Sequence, residues 1–114
     1  MEQTSYDHPA ADWARGQRFT PQEVDCTTAV VLKILDGKCK MRPGEMAAVI
    51  AVYEVVRDQP APLFDTGAHR LIDAACRGEP DDAAIHTLRC YAEEQIPKPV
   101  MKAYKAVLRA GLFE

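Results

Sequence analysis

The sequence predicts an all-α protein, a compact bundle of about five helices, and three observations support this prediction. The 114 residues include 17 alanines, which favour closely packed helices because alanine loses no side-chain entropy in a helix. Apolar residues recur at spacings of three and four, the period of a helix that buries one face. Prolines and glycines separate these periodic segments at positions typical of helix starts and ends.

The first predicted helix covers residues 21–36. Thr20 and Glu23 have the spacing of a capping box, in which each side chain binds a free backbone amide at the helix start. Pro21 stands at the first helical position, where proline is favoured. Gly37 follows the last periodic residue and can end the helix in the left-handed conformation.

Before this helix the sequence has no helical period, since His8, Pro9 and Gly16 interrupt it. We therefore predict an irregular N-terminal arm over residues 1–19 and a single helical domain over residues 20–114. A chain of this length provides one hydrophobic core.

Four more helices are predicted in the rest of the chain. They cover residues 43–58, 66–77, about 79–94 and 99–109. Because residues 46–53 carry no charge, the helix that contains them is expected to be the central, buried one.

Composition and charge exclude several classes of protein. Charged residues make up 27% of the chain and the formal net charge is −3, which excludes a globally basic nucleic-acid coat but not a local basic patch. No apolar run approaches the length of a membrane span. The N-terminus lacks a basic segment followed by an apolar one, so we expect no secretory signal. The four cysteines are then expected to be reduced thiols in a cytoplasmic protein.

Two clusters of cations stand out in this mildly acidic chain. Lys98, Lys102, Lys105 and Arg109 are spaced four, three and four residues apart and form a basic stripe on the last predicted helix. A second cluster surrounds the loop after the first helix and consists of Lys33, Lys38, Lys40 and Arg42. The stripe has three interpretations: a solvated or intramolecular face, a surface for a protein partner, or a track for a phosphate backbone. In the intramolecular case it pairs with residues 79–94, which contain five acids and one arginine.

Cys90 is the best candidate nucleophile, because His86 precedes it by one helical turn and can accept the thiol proton. No third group that orients His86 is evident, and a structural cysteine is the simpler interpretation. His69 and Cys76 would complete a zinc-like set with these two residues, but the spacing differs from that of known zinc modules. We predict no metal and no cofactor.

Trp13, in the N-terminal arm, is the strongest candidate anchor for a partner's pocket, since tryptophan is enriched at interface hot spots. The alternative is that it folds back over the bundle. The chain ends could also bury against a second copy and form a homodimer.

By elimination, we expect a small non-enzymatic regulator, adaptor or inhibitor that binds a protein partner. Its size suits an inhibitor from a phage or another mobile element. The first alternative is a nucleic-acid-binding regulator that uses the basic stripe, although the uncharged residues 46–53 offer no polar recognition face for a helix-turn-helix motif. The second alternative is an enzyme that depends on Cys90.

Overall fold

Six helices make up the regular structure of residues 8–113, the part of the chain that this computed structural model describes, with side chains up to Gly111. They are α1 (Pro9–Arg15), α2 (Pro21–Leu35), α3 (Pro43–Val56), α4 (Thr66–Cys76), α5 (Asp82–Gln95) and α6 (Lys98–Phe113). The all-α prediction is confirmed, and α2 to α6 correspond to the five predicted helices. None of the described helices is long and apolar enough to span a membrane.

Helix α1 is the additional element, and it lies inside the arm that we predicted to be irregular. The His8 imidazole accepts a hydrogen bond from the Ala10 amide at 3.0 Å and caps the helix, while Pro9 occupies its first position. Its buried face consists of Ala10, Ala11 and Ala14, and it packs closely on α3. Residues 1–7 of the predicted arm lie outside the described residues.

The central helix is α2 rather than the predicted α3. Nine consecutive residues from Val24 to Leu32 are buried, because α2 contacts α3, α4, α5 and α6. Thr27 and Thr28 tolerate this burial since their hydroxyls donate to the carbonyls of the preceding turn, at 2.9 and 3.0 Å. Helix α3 packs mainly against α1 and α2, so its uncharged surface is buried between these two helices.

Two polar contacts attach other parts of the chain to α2. The Tyr104 hydroxyl of α6 hydrogen-bonds the Thr27 hydroxyl in the core. The Leu63 amide, in the connector between α3 and α4, donates to the buried Asp25 carboxylate at 3.2 Å. Burial raises the pKa of Asp25, although the hydrogen bond from Leu63 opposes the rise. These contacts fix α6 and the connector against the central helix.

Candidate basic groove

Helices α2, α5 and α6 enclose an open groove of about 400 Å³. Its floor is apolar and consists of Ala29, Ala92, Ile96 and Met101. Its rim is charged and consists of Lys33, Arg89, Glu93, Lys98, Lys102 and Lys105. We call this feature the basic groove, because five cations and one carboxylate line it.

The turn between α5 and α6 opens the groove. Helix α5 ends at Gln95 and α6 begins at Lys98, since proline at position 97 cannot continue the α5 hydrogen-bond ladder. Ile96 is buried at this corner and holds both helices close to α2. The space between these two helices and α2 forms the groove.

Glu93 is the one acidic residue of the rim, and two cations neutralise it. Its carboxylate lies 3.2 Å from Lys33 Nζ and 3.0 Å from Arg89 Nη1. Arg89 also donates through Nε to Asp36. These pairs hold α5 against α2, and they occupy both Lys33 and Arg89.

The three lysines from α6 differ from these two cations. Lys98, Lys102 and Lys105 form no ion pair with any residue of the described part of the chain. Lys98 and Lys102 are exposed and Lys105 is half-buried. Pairing of the basic stripe with the acids of residues 79–94, one of the interpretations above, is therefore not the arrangement that the structure has.

The other predicted basic residues lie outside the groove. Arg109 interacts with Glu45 of α3 rather than with the groove. Hydrogen bonds from the backbone and side chain of Arg42 lower the pKa of Glu45, and the charge of Arg109 lowers it to a smaller extent. Arg42 pairs with Glu45 at 3.1 Å at the start of α3. Lys38 and Lys40 are exposed in the loop between α2 and α3. The two predicted clusters therefore share Glu45, which interacts with Arg42 of one and Arg109 of the other, and Lys33 lines the groove with three lysines of the stripe.

No family model, curated protein or solved structure matches this chain. The functional interpretation therefore depends on the groove and on the side chains of the chain itself.

Trp13 is half-buried and packs against its own chain. Its ring meets Phe19 edge to face, with centroids 6.0 Å apart. On the other side it contacts α6 at Gly111, where an added Cβ would lie 2.3 Å from indole Cζ2. Of the two interpretations of this residue, the structure has the one in which the indole folds back over the bundle.

The structure provides the third group that the sequence did not reveal for the His86 and Cys90 pair. Cys90 Sγ lies 3.6 Å from His86 Nε2, and His86 Nδ1 lies 3.1 Å from Asp36 Oδ2. The Arg89 hydrogen bond, together with a smaller effect of His86, lowers the pKa of Asp36 and keeps it ionised. Asp36 comes from the end of α2, fifty residues earlier in the chain.

His69 and Cys76 are not part of this arrangement. His69 Nδ1 lies 2.6 Å from the hydroxyl of the buried Tyr53, and burial lowers the pKa of His69. Within residues 8–113, no three His, Cys, Asp or Glu side chains are grouped so that they could hold a metal ion.

Arg89 is the groove residue that sequence reasoning missed. It is the one cation among the acids of residues 79–94, and that isolation was the available signal. The periodicity of α6 identified Lys98, Lys102 and Lys105, but it contained no information on the residues of α2 and α5 that face them.

Proposed function

We propose that the protein is a non-enzymatic regulator that holds an acidic and apolar segment of a protein partner in the basic groove. The observation that carries this proposal is an apolar floor bordered by three lysines that make no ion pair within residues 8–113. Carboxylates of the partner would form ion pairs with those lysines, and an apolar side chain of the partner would cover Ile96 and Met101. Regulation would then follow from occlusion or recruitment of the bound segment, and opposite charges would speed the encounter.

The shape of the groove supports a polypeptide as the ligand. Lys98 and Lys105 are seven residues apart on α6, which corresponds to about 10 Å along the helix axis. This line of positive charge matches a row of carboxylates on a helical or extended segment, one of the common modes of peptide recognition. Met101 suits such a surface because its flexible thioether adapts to different apolar side chains.

Nucleic-acid binding is the alternative, and the apolar floor of the groove disfavours it. A phosphate backbone would leave Ile96 and Met101 without an apolar partner, whereas an apolar side chain of a peptide would cover them. The three lysines are also fewer than the roughly 6–10 phosphate contacts of a DNA-binding protein whose affinity depends steeply on salt.

Fluorescence anisotropy tests the proposal with three labelled probes. The first is an amphipathic peptide with glutamates on one face and leucines on the other, the second has serines in place of the leucines, and the third is duplex DNA. The variant Lys102→Glu with Lys105→Glu reverses two groove charges. Lys38→Glu with Lys40→Glu is the matched control, because it makes the same charge change outside the groove.

We expect the glutamate and leucine peptide to bind the wild type, and the groove variant to bind it about tenfold more weakly, because two ion pairs become two repulsive pairs. The loop variant should retain wild-type affinity. Equal losses in both variants, or equal binding of the serine peptide, would contradict a specific groove. Binding of the DNA probe in preference to the peptides would favour the nucleic-acid alternative.

A further inference from the structure

Three side chains from two helices form a connected arrangement beside the basic groove. Asp36 stands at the end of α2, and its carboxylate faces His86 Nδ1 at 3.1 Å. One turn further along α5, Cys90 Sγ faces the other ring nitrogen, Nε2, at 3.6 Å. A thiol, an imidazole and a carboxylate therefore lie in the order in which a proton leaves a cysteine nucleophile.

The carboxylate determines which nitrogen can act as a base. Asp36 is ionised and accepts hydrogen bonds only, whereas Arg89 Nη2, which only donates, also lies near His86 Nδ1, at 3.4 Å. Because the Asp36 oxygen is nearer, at 3.1 Å, we assign the proton of neutral His86 to Nδ1, which donates it to Asp36. The Nε2 lone pair then points toward the Cys90 thiol. After proton transfer, both ring nitrogens donate, one to Asp36 and one to the thiolate.

We propose that Cys90 is a modification site at which the chain forms a mixed disulfide with a low-molecular-weight disulfide. Access supports this, because the His86 side chain is 55% exposed and Cys90 is half-exposed, so a small disulfide can reach the sulfur from solvent.

The position of Cys90 selects this chemistry over acyl transfer. Acyl transfer forms an oxyanion that requires preorganised donors near the nucleophile. Cys90 lies inside α5, where backbone amides are already bonded within the helix. Substitution at sulfur develops no oxyanion and needs only a deprotonated thiol with a clear line of approach.

The reaction balances without any further reagent. His86 Nε2 accepts the proton of the Cys90 thiol, and the sulfur attacks one sulfur of the small disulfide. A new S–S bond forms while the bond of the reagent breaks. The other half leaves as a thiolate and takes the proton from His86, so Cys90 is oxidised to the mixed disulfide and one half of the reagent is reduced to a thiol.

The other described cysteines lack this environment and provide internal references. Cys26 is buried, and burial raises the pKa of its thiol to about 11. Cys76 is exposed, but partial desolvation by the surrounding chain, with a contribution from Glu54, raises the pKa of its thiol. Cys39 is half-exposed like Cys90 and makes no hydrogen bond within the described part of the chain. It is the reference for a thiol without a histidine base, and it is a demanding one because Lys38 and Lys40 flank it and favour a thiolate.

Timed reaction with glutathione disulfide at neutral pH tests the proposal. The reaction is quenched by alkylation, and peptide mass spectrometry measures the mixed disulfide at each cysteine of the full chain. We expect Cys90 to react about tenfold faster than Cys39, because the histidine assists loss of the thiol proton. His86→Gln should slow Cys90 to the rate of Cys39. His8→Gln, a histidine substitution at the N-cap of α1, should leave the Cys90 rate unchanged.

Two results would overturn the proposal: a wild-type Cys90 rate no higher than that of Cys39, or a Cys90 rate that His86→Gln does not reduce. Cys26 monitors folding in the same spectra, since it becomes reactive only when the core opens. Peptide binding in the groove is measured separately, so failure of either proposal is distinguishable from failure of the other.

Discussion

The indole of Trp13 occupies the space in which a side chain at position 111 would project. An added Cβ would lie 2.3 Å from the ring, far inside van der Waals contact, so Gly111→Ala must displace the ring or α6. Alanine is the better helix former by about 1 kcal/mol, but overpacking costs about 1–3 kcal/mol. We expect a net loss of about 1 kcal/mol in the free energy of unfolding, measured by urea denaturation.

Gly44→Ala is the matched control for this substitution. A Cβ at Gly44 meets nothing within 4 Å, and the residue is also helical, so the free energy of unfolding should stay constant or rise. If both substitutions raised it equally, close contact between the indole and α6 would be disproved.

His69 makes the stability of the protein depend on pH. Burial lowers its pKa in the folded chain, so below the unfolded value of about 6.5 the unfolded state binds more protons. Stability is therefore constant above that pH, and it decreases as the pH falls from there toward the folded pKa. Urea denaturation at about pH 7.5 and about pH 5.5 should show this decrease in the wild type and a smaller one in His69→Gln. In His86→Gln, where His69 remains, the decrease should persist.

At the scale of the helices, loss of one hydrogen bond at the start of α2 should affect the stability of the whole fold. The Thr20 hydroxyl accepts from the Glu23 amide at 3.1 Å, and the Glu23 carboxylate accepts from the Thr20 amide at 2.8 Å. Thr20→Ala removes half of this capping box, and we expect a loss of about 1 kcal/mol in the free energy of unfolding. Chemical denaturation measures it.

Gln22→Ala changes an exposed residue in the same turn and should alter stability by less than about 0.5 kcal/mol. Because α2 contacts four other helices, the loss in Thr20→Ala should lower the midpoint of the whole transition. A separate early phase with an unchanged main transition would show instead that the first turn frays alone.

Sequence reasoning identified helices α2 to α6 because their ends are marked locally. Prolines begin α2 and α3, and Gly37 and Gly78, with φ of 71° and 88°, follow α2 and α4. Helix α1 escaped because its seven residues are too few to reveal a period, and its cap is a histidine, which is not among the residues that favour this position.

The choice of central helix and the composition of the site required tertiary information. Hydrophobicity favoured α3, but packing placed α2 in the middle, since threonines can bond their own helix and be buried. The lysines of α6 share one period and were predicted together. Arg89 lies on α5 and not on α6 with the lysines, so the spacing of the lysines could not predict it. Asp36 follows α2 whereas His86 lies on α5, so no spacing within one helix relates these two residues.

At the scale of the whole molecule, positive charge is concentrated around the groove, which five cations and one carboxylate line. Lys102 and Lys105 have no ion pairs in the described part of the chain and lie among other cations, so they contribute no net attraction to the fold. We expect Lys102→Gln with Lys105→Gln to leave the free energy of unfolding unchanged within about 0.5 kcal/mol, or to raise it at low salt. Urea denaturation at two salt concentrations measures this.

Lys33→Gln serves as the comparison, since it breaks the pair with Glu93 that joins α2 to α5. We expect it to cost about 0.5–1 kcal/mol. If the double lysine variant lost as much as Lys33→Gln, the lysines of α6 would have a structural role, and a groove reserved for a partner would lose its main argument.

The position of Trp13 gives the protein an intrinsic optical probe. It is the only tryptophan of the chain, and its indole lies between Phe19 and α6 at Gly111. Its emission therefore reports the attachment of α1 to α6, whereas far-ultraviolet circular dichroism reports the helices as a whole. If the tryptophan emission shifts to the red at a lower temperature than the one at which helical signal is lost, α1 detaches from the bundle before the other helices unfold. No added label is needed for this measurement.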